Sequence, residues 1–417
     1  MKNTNLYSAK AAKNDEFYTQ YADIQKEINA YLDFDPDVFR GKTVLLPCDD
    51  PEWSNFTKFF AQNFELLGLK KLISTSYAPD SKKYRTAYQP TLFESEAPQF
   101  DSDKTQTHGK IFVLTHDVTG DNRVDINDLQ YSYLEGDGDF RSREIRALRD
   151  EADIIVTNPP FSLFREFVAW LMESGKQFII IGNMNAITYK EVFPLIMKNE
   201  IWLGESIHSG DREFGIPEEY PITAAGWRID EQGNKYIRVK GVRWFTNIDH
   251  GRRHQPLQLM TMAENLKHSK HKEIRGQKEY IHYDNYDAIE IPFTDAIPSD
   301  YDGVMGVPIS FLDRYCPEQF ELLGITDRGN EFGLKTKEYD TSEIPNANDL
   351  NRRAAYVVDN ELIGGGCNEQ INSNLCQTSD SKENNLNWLL IPGFPKYDRP
   401  YINGERKYAR LLIRHKQ

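Results

Sequence analysis

Short β-branched runs alternate along this chain with longer stretches in which apolar residues recur at helical spacing. "KTVLL" (Lys42–Leu46) predicts a buried strand that ends in Pro47, Cys48 and two acids, Asp49 and Asp50. In "EWSNFTKFFAQNFELLG" the rings of Trp53, Phe56, Phe59, Phe60 and Phe64, with Leu67, predict an amphipathic helix stopped by Gly68. "LKKLISTSY" predicts a second strand, and strand–helix–strand is the unit of a parallel sheet. "KIFVLTHD", "ADIIVT", "QFIIIGN" and "EIWLG" read as further strands, with helices at "SLFREFVAWLMESG" and "TYKEVFPLIMKN". The alternation predicts an open, mostly parallel α/β sheet, in which ligands sit beyond the carboxyl ends of the strands.

Past Gly204 the rhythm breaks. "GVRWFTNID" (Gly241–Asp249) predicts one more strand, "DYDGVMGVPISFLDRYCPEQFELLGI" an extended piece followed by a short helix, and "KYARLLIRH" (Lys407–His415) a closing strand. A polar insert runs roughly from Ala78 to Gln106, and the stretch from Thr326 to about Arg399 is rich in Asn, Asp and Ser, with "LIGGGCNEQINSN" as a loop. No internal repeat is found. This organisation predicts a core over residues 1–204, a second region with the remaining core strands over 205–325, and an extension over 326–417 that ends in a core strand.

Composition narrows the class. The 417 residues, 39% hydrophobic, suffice for one large domain or two ordinary ones. No apolar run approaches the roughly 20 residues of a membrane span, and the start lacks the apolar segment of a secretory signal. Cys48, Cys316, Cys367 and Cys376 form no close pair, so a disulfide framework or structural zinc is not expected and a reducing cytoplasm fits. A net charge of −14 argues against a polyanionic partner on average. Between Lys235 and Lys278, however, eleven Lys/Arg face three Asp/Glu, with four histidines besides. That segment is either a solvated basic surface or a local phosphate contact, since charge acts over about a Debye length.

The chemistry concentrates at "IIVTNPPFSLF" (Ile154–Phe164), where an Asn, two prolines and a Phe follow a β-branched run. Pro159 and Pro160 cannot continue a strand, so the tetrapeptide lies at the strand's carboxyl end. The Asn158 side-chain oxygen and the stiffly held Pro159 carbonyl can accept both hydrogens of a planar amino group. Phe161 offers a face to a flat ring, a stacking contact worth about 1–3 kcal/mol. An exocyclic amine conjugated to a purine is a poor nucleophile. Two preorganised acceptors favour its pyramidal form and disperse the positive charge that develops as it attacks an electrophile, with no strong base.

Here the sequence resembles the S-adenosylmethionine-dependent amino-methyltransferases, whose fourth motif is [D/N/S]PP[Y/F]. "NDEFYTQYADI", "VLLPCDDPEWSNFTKFF", "GDGDF", "AITYKEVFPLI", "KNEIWLG", "YDNYDAI" and "DYDGVMGVPISFL" narrow the likeness to the EcoRI-type adenine-specific DNA methyltransferases. It covers roughly Ser8 to Ile325 and the last fifteen or so residues. The resemblance implies a Rossmann-like class I sheet with an irregular, partly basic recognition region. It also implies S-adenosylmethionine as cofactor with no metal required, and methyl transfer to N6 of an adenine flipped out of duplex DNA.

By motif position, Asn158, Pro159 and Phe161 hold the target adenine, with Asn158 also bordering the cofactor. Asp139 and Phe140 meet the cofactor adenine. Pro47, Cys48, Asp49 and Asn55 line its methionine and ribose side, and Tyr18 and Thr19 close over the methionine part. Trp244, on the strand of the eighth motif, is expected to cover the second face of the flipped base, with Phe245 turned to the core. Arg252, Arg253 and Lys270 are expected on phosphates, or failing them Arg352 and Arg353. A monomer is expected, with a restriction endonuclease of the same site as a possible partner.

Two departures stand out. The glycine-rich form of the first motif is absent, and no acid ends the second strand, Asp80 being a weak substitute. "DVTGDNRVDIND" places Asp117, Thr119, Asp121, Asp125 and Asp128 at calcium-loop spacing, with an acidic surface loop as the alternative. Two other functions remain open at this point: methylation of RNA adenine or of a protein glutamine amide, and a non-catalytic DNA mimic or binding protein motivated by the acidity.

Overall fold

Aliphatic and β-branched runs become the strands of a large sheet. The computed structural model describes residues 18–49, 54–78, 100–121, 123–208, 211–216, 226–326, 356–358, 361–363 and 399–416. The eight strands of this sheet are β1 (Thr43–Leu46), β2 (Lys71–Thr75), β3 (Lys110–Leu114), β4 (Gln130–Tyr133), β5 (Ile154–Thr157), β6 (Gln177–Asn183), β7 (Trp202–Leu203) and β11 (Val242–Thr246), in the order β4-β3-β2-β1-β5-β6-β11-β7. The remaining strands of the first half, β8 (Asp211–Ile216), β9 (Trp227–Ile229) and β10 (Lys235–Lys240), form a small antiparallel sheet.

The expectation of a mostly parallel sheet is corrected. Strands β2, β1, β5 and β6 run parallel. The pairings β2–β3, β3–β4, β6–β11 and β11–β7 are antiparallel. Among its described residues the connection from β3 to β4 holds a 3-10 turn at Ile126–Asp128 and no helix longer than this, and a link without a long crossover returns a strand antiparallel.

Both faces of the sheet are covered. Val44, Leu46, Leu72, Phe112, Ile154, Val156, Ile179, Ile181 and Trp244 share one buried cluster with Ile24, Ile28 and Tyr31 of helix Tyr21–Phe34 and with Phe56, Phe59 and Phe60 of helix Asn55–Gln62. The opposite face meets helix Phe164–Ser174, whose Phe164 stands edge-on to Phe245 at 5.2 Å. Each such fully buried side chain contributes about 1.5–3 kcal/mol. Ser54 caps helix Asn55–Gln62 by accepting from the Phe56 N–H at 3.1 Å, and Gly68 closes the following turn in the left-handed conformation. The helix expected at "TYKEVFPLIMKN" shortens to Phe193–Met197 behind a 3-10 segment, because Pro194 is tolerated only in a first turn. The strand at "EIWLG" shrinks to two residues.

The chain divides into units Met1–Arg252 and Arg253–Gln417. The break falls after Arg252 rather than after Gly204, since β11 returns into the first sheet. In the second unit the elements are helix Met262–His268 and the strands β12 (Ile289–Glu290), β13 (Met305–Pro308) and β14 (Phe320–Ile325). They are followed by the short pairs β15–β16 (Tyr356–Val358 with Glu361–Ile363) and β17–β18 (Tyr401–Ile402 with Glu405–Arg406), and by β19 (Arg410–His415). The closing strand β19 is central in the sheet β12-β13-β19-β14, not part of the large one. Leu411, Leu412 and Ile413 are fully buried there, and Arg410 grips Glu290 of β12 through two guanidinium nitrogens. No described helix is long and apolar enough to cross a membrane.

Candidate active site

The carboxyl ends of β1, β2 and β5 are fastened by one buried aspartate, Asp49. Asp49 Oδ1 accepts from Ser54 Oγ at 2.8 Å, and its Oδ2 accepts from Thr157 Oγ1 at 2.5 Å. The same Thr157 hydroxyl faces the Pro47 carbonyl at 2.5 Å. Asp49 N–H donates to Thr75 O at 2.8 Å, while its carbonyl accepts from Thr57 Oγ1 at 3.1 Å and from Ser74 Oγ. Asp49 and Thr157 are buried, so this carboxylate holds the turn rather than reaching outward.

The turn itself bends sharply. Cys48, half-buried, sits at φ +69°, a left-handed conformation unusual for a residue with a Cβ. Thr157 is followed by Asn158, half-buried, Pro159, buried, and Phe161, which packs at the rim of the large core cluster. Leu163 N–H donates to Pro160 O at 2.9 Å, starting the 3-10 turn that leads into helix Phe164–Ser174. Asn158 therefore stands in a loop anchored at both ends.

Two other predicted elements come to this edge. Tyr18 exchanges both backbone hydrogen bonds with Gly215 of β8 at 2.8 Å, and the next carbonyl, Thr19 O, accepts from Asn55 Nδ2 at 2.7 Å. Thr19 is 3% exposed and its hydroxyl has no hydrogen-bond partner among the described residues. The "GDGDF" turn lies against the end of β2: Ala78 N–H donates to Asp137 O at 2.7 Å, and a Cβ on Gly138 would run into the Ser76 carbonyl.

Within that turn Asp139 is held by Arg141 through Nε at 2.9 Å and Nη2 at 2.6 Å, which keeps its carboxyl below the usual range. Phe140 is corrected from a cofactor face to a core residue: its ring is 3% exposed, edge-on to Phe167 at 5.0 Å and Trp170 at 5.7 Å. Sequence reading missed Tyr77, which follows β2 where an acid was sought. Burial, and then Asp137 and Asp139, push its phenol up to about 12. An aromatic at the end of "LISTSY", with two acids in a later glycine turn, was the available signal.

Trp244 is the clearest correction. It is 1% exposed, stands edge-on to Phe56 at 6.0 Å, and lies in the large core cluster. Phe245 is buried on the other face, because β11 is flanked by β6 and β7 and covered on both sides. Neither ring borders a half-open cleft.

Arg252, half-buried in the 3-10 turn Gly251–His254, ends the first unit, and Arg253 begins the second. Lys270 is 74% exposed and paired with Asp295 at 2.6 Å. Nearby, Thr261 and Glu264 form a reciprocal cap on helix Met262–His268, a start that "TMAE" announces. The calcium-loop acids serve their own backbone: Asp128 Oδ1 accepts from Val118 and Thr119 N–H at 2.8 Å, and Asp117 Oδ1 accepts from Gly120 N–H at 2.6 Å. No metal-holding cluster of His, Cys, Asp or Glu occurs among the described residues. Asp50, Asp80, Arg352 and Arg353 lie outside the described residues.

A central parallel strand of this α/β sheet delivers Asn-Pro-Pro-Phe into an anchored loop, the motif on which the resemblance to amino-methyltransferases rests. The chain belongs to the adenine-specific methyltransferase EcoRI family, whose model matches residues 5–416. It is 43% identical over 318 residues to the type II methyltransferase M.EcoRI of Escherichia coli, covering 76% of this chain and 88% of that protein. It is also 33% identical over 358 residues to the type II methyltransferase M.MpnI of Mycoplasma pneumoniae, covering 84% and 95%. A third relative, M.MgeORF184P of Mycoplasma genitalium, is 30% identical over 365 residues, covering 85% and 98%. No solved structure matches. The family methylates adenine in DNA, and this chain is an adenine-specific DNA methyltransferase.

Proposed function

We propose that the protein binds S-adenosylmethionine at the carboxyl edge of a Rossmann-like class I sheet and methylates N6 of an adenine flipped out of a specific duplex sequence. The observation that carries this reading is the placement of Asn158 immediately after the Thr157–Asp49–Pro47 clasp, between the ends of β1 and β6. The residues present fit the cofactor. Thr19 offers a buried hydroxyl with no hydrogen-bond partner among the described residues, Cys48 lets the chain turn as a glycine would, and Tyr77 with Asp137, at the carboxyl end of β2, would hold the ribose. When bound, S-adenosylmethionine supplies an electrophilic methyl group. Asn158 Oδ1 and the Pro159 carbonyl accept the two N6 hydrogens and stabilise positive charge on that nitrogen, and Phe161 stacks on the ring. The leaving proton passes to solvent, since the methylated nitrogen is strongly acidic before it is lost.

Arg252, Arg253 and Lys270 supply phosphate contacts. An exposed ion pair such as Lys270–Asp295 is worth about 0–1 kcal/mol and yields to a phosphate. The type II designation of the relatives favours a restriction–modification role; a cognate endonuclease, a monomeric state and a cytoplasmic location are further parts of this reading. The test is Asn158→Ala in cells and in vitro. N6-methyladenine in nucleoside digests of host DNA should appear with the wild-type gene and be absent with the variant, while cofactor binding by calorimetry is kept. Near-normal turnover by the variant would remove the clamp.

A further inference from the structure

Strand β9 is the edge of the three-stranded sheet β8-β10-β9 and carries exposed apolar side chains on one face. Trp227 lies opposite Ile237 and Ile229 opposite Lys235, so all four share that face. Toward the interior the face is closed, with Phe214, Ile216, Ile237 and Val239 in the core cluster. Along β9 it runs past the core: Trp227 is 45% exposed and Ile229 49%. Two neighbouring large apolar side chains left in water give up burial that any fold would otherwise use.

The β9–β10 hairpin at the edge of this sheet is stiff. Asp230 at its tip accepts from the Gln232 and Asn234 N–H groups at 3.0 and 2.8 Å and from the Tyr236 hydroxyl at 3.0 Å, with Gly233 at φ +89°. On the opposite face Arg228 pairs with Glu213 through two nitrogens at 2.9 and 2.8 Å and lies 4.4 Å over the Tyr236 ring. Its base is fixed to the catalytic edge. Asn183 Nδ2 donates to Lys240 O at 2.8 Å and Met184 N–H to Gly241 O at 2.6 Å, at the end of β6, the strand next to the one that delivers Asn158.

We propose that Trp227, with Ile229 beside it, is the wedge that enters the duplex and fills the place vacated by the flipped adenine. The inference rests on the proposed function above. Trp227 and Ile229 stand on an edge strand, open to a partner on that side, and apolar side chains that enter a base stack offset the cost of opening it. DNA is the substrate on which this chain acts, and Lys235 shares the face of Trp227 and Ile229, where a cation suits a phosphate. Trp227 is a positioning residue here, acting on the base through the stack.

The test uses the full chain with S-adenosylhomocysteine and a duplex of the mapped methylation sequence, carrying 2-aminopurine at the target adenine. Trp227→Ala is expected to bind about 10- to 100-fold more weakly and to lose most of the fluorescence rise. Its thermal midpoint should stay unchanged, because the ring is on the surface. On a duplex with a mismatched target pair, which costs less to open, the affinity loss should shrink, and Trp227→Phe should restore most of the wild-type behaviour. Wild-type affinity and fluorescence in Trp227→Ala would overturn the wedge. So would light scattering that shows a wild-type dimer split by the substitution, since the occupant would then be a second copy. Absence of N6-methyladenine with the wild-type protein would instead overturn the underlying reading, and the wedge with it.

Discussion

Thr157→Val perturbs the clasp beneath the Asn158 loop without changing its shape. Thr157 is fully buried and its hydroxyl faces two acceptors, Asp49 Oδ2 and Pro47 O, each at 2.5 Å. Valine leaves no cavity, so the loss is that of the hydrogen bond and of a buried carboxylate oxygen left short of a donor. Hydrogen bonds to charged groups contribute about 1.5–3 kcal/mol, and the loss should fall in that range. Asp49→Asn removes the charge that makes the bond strong, so the two changes share one interaction. A double-mutant cycle by urea unfolding should give a coupling of about 1 kcal/mol or more. The same change loosens Pro47–Asp49 against Asn158, so cofactor dissociation should accelerate while the circular-dichroism spectrum is kept. A loss below about 0.5 kcal/mol, with additive effects in the double variant, would refute the clasp.

The remaining expectations are compact. His208 is pushed down to about 4, first by burial and then by Arg252, Arg243 and Lys26, so the unfolded chain takes its proton near 6.5 and the folded one only near 4. Its contribution to stability is therefore full above about pH 6.5 and is lost as pH falls toward 4; His208→Asn should flatten that limb of a urea-stability profile. Gly138→Ala places a Cβ against the Ser76 carbonyl at φ +86° and should cost about 2 kcal/mol or more, read as a lower thermal midpoint together with weaker cofactor binding by calorimetry.

What the sequence revealed followed from periodicity and from local motifs. The β-branched runs at Ile154–Thr157 and Gln177–Asn183 became strands because short apolar runs next to turn residues have few other uses. Helix Tyr21–Phe34 was equally legible through Ile24, Ile28 and Tyr31, yet a motif reading of "NDEFYTQYADI" passed over it. Strand direction was not legible, because β3 and β4 carry the same residue types as parallel strands and only their connection decides. Nor was the side that Trp244 faces. Alternation separates Trp244 from Phe245, but it cannot reveal that β11 gains β7 as a further neighbour and is buried on both faces.

The two departures from the family's motifs look different once backbone and partners are considered. A glycine-rich turn exists to give the chain a left-handed residue, and Cys48 takes that conformation at φ +69° without being glycine. The cost for a residue with a Cβ is about 1–2 kcal/mol. It is offset by Asp49, whose carboxylate, N–H and carbonyl all find partners on β2, β5 or the helix that follows. The acid sought at the end of β2 has a similar explanation. Asp137 reaches Tyr77 from a turn about sixty residues later, made possible because Gly138 passes against Ser76 with no side chain between them. A motif written as letters at fixed spacing cannot represent either substitution, since one is a backbone angle and the other a tertiary contact. What both preserve is a sharp turn and a half-buried acid at the carboxyl edge of the parallel strands, where Asn158 stands.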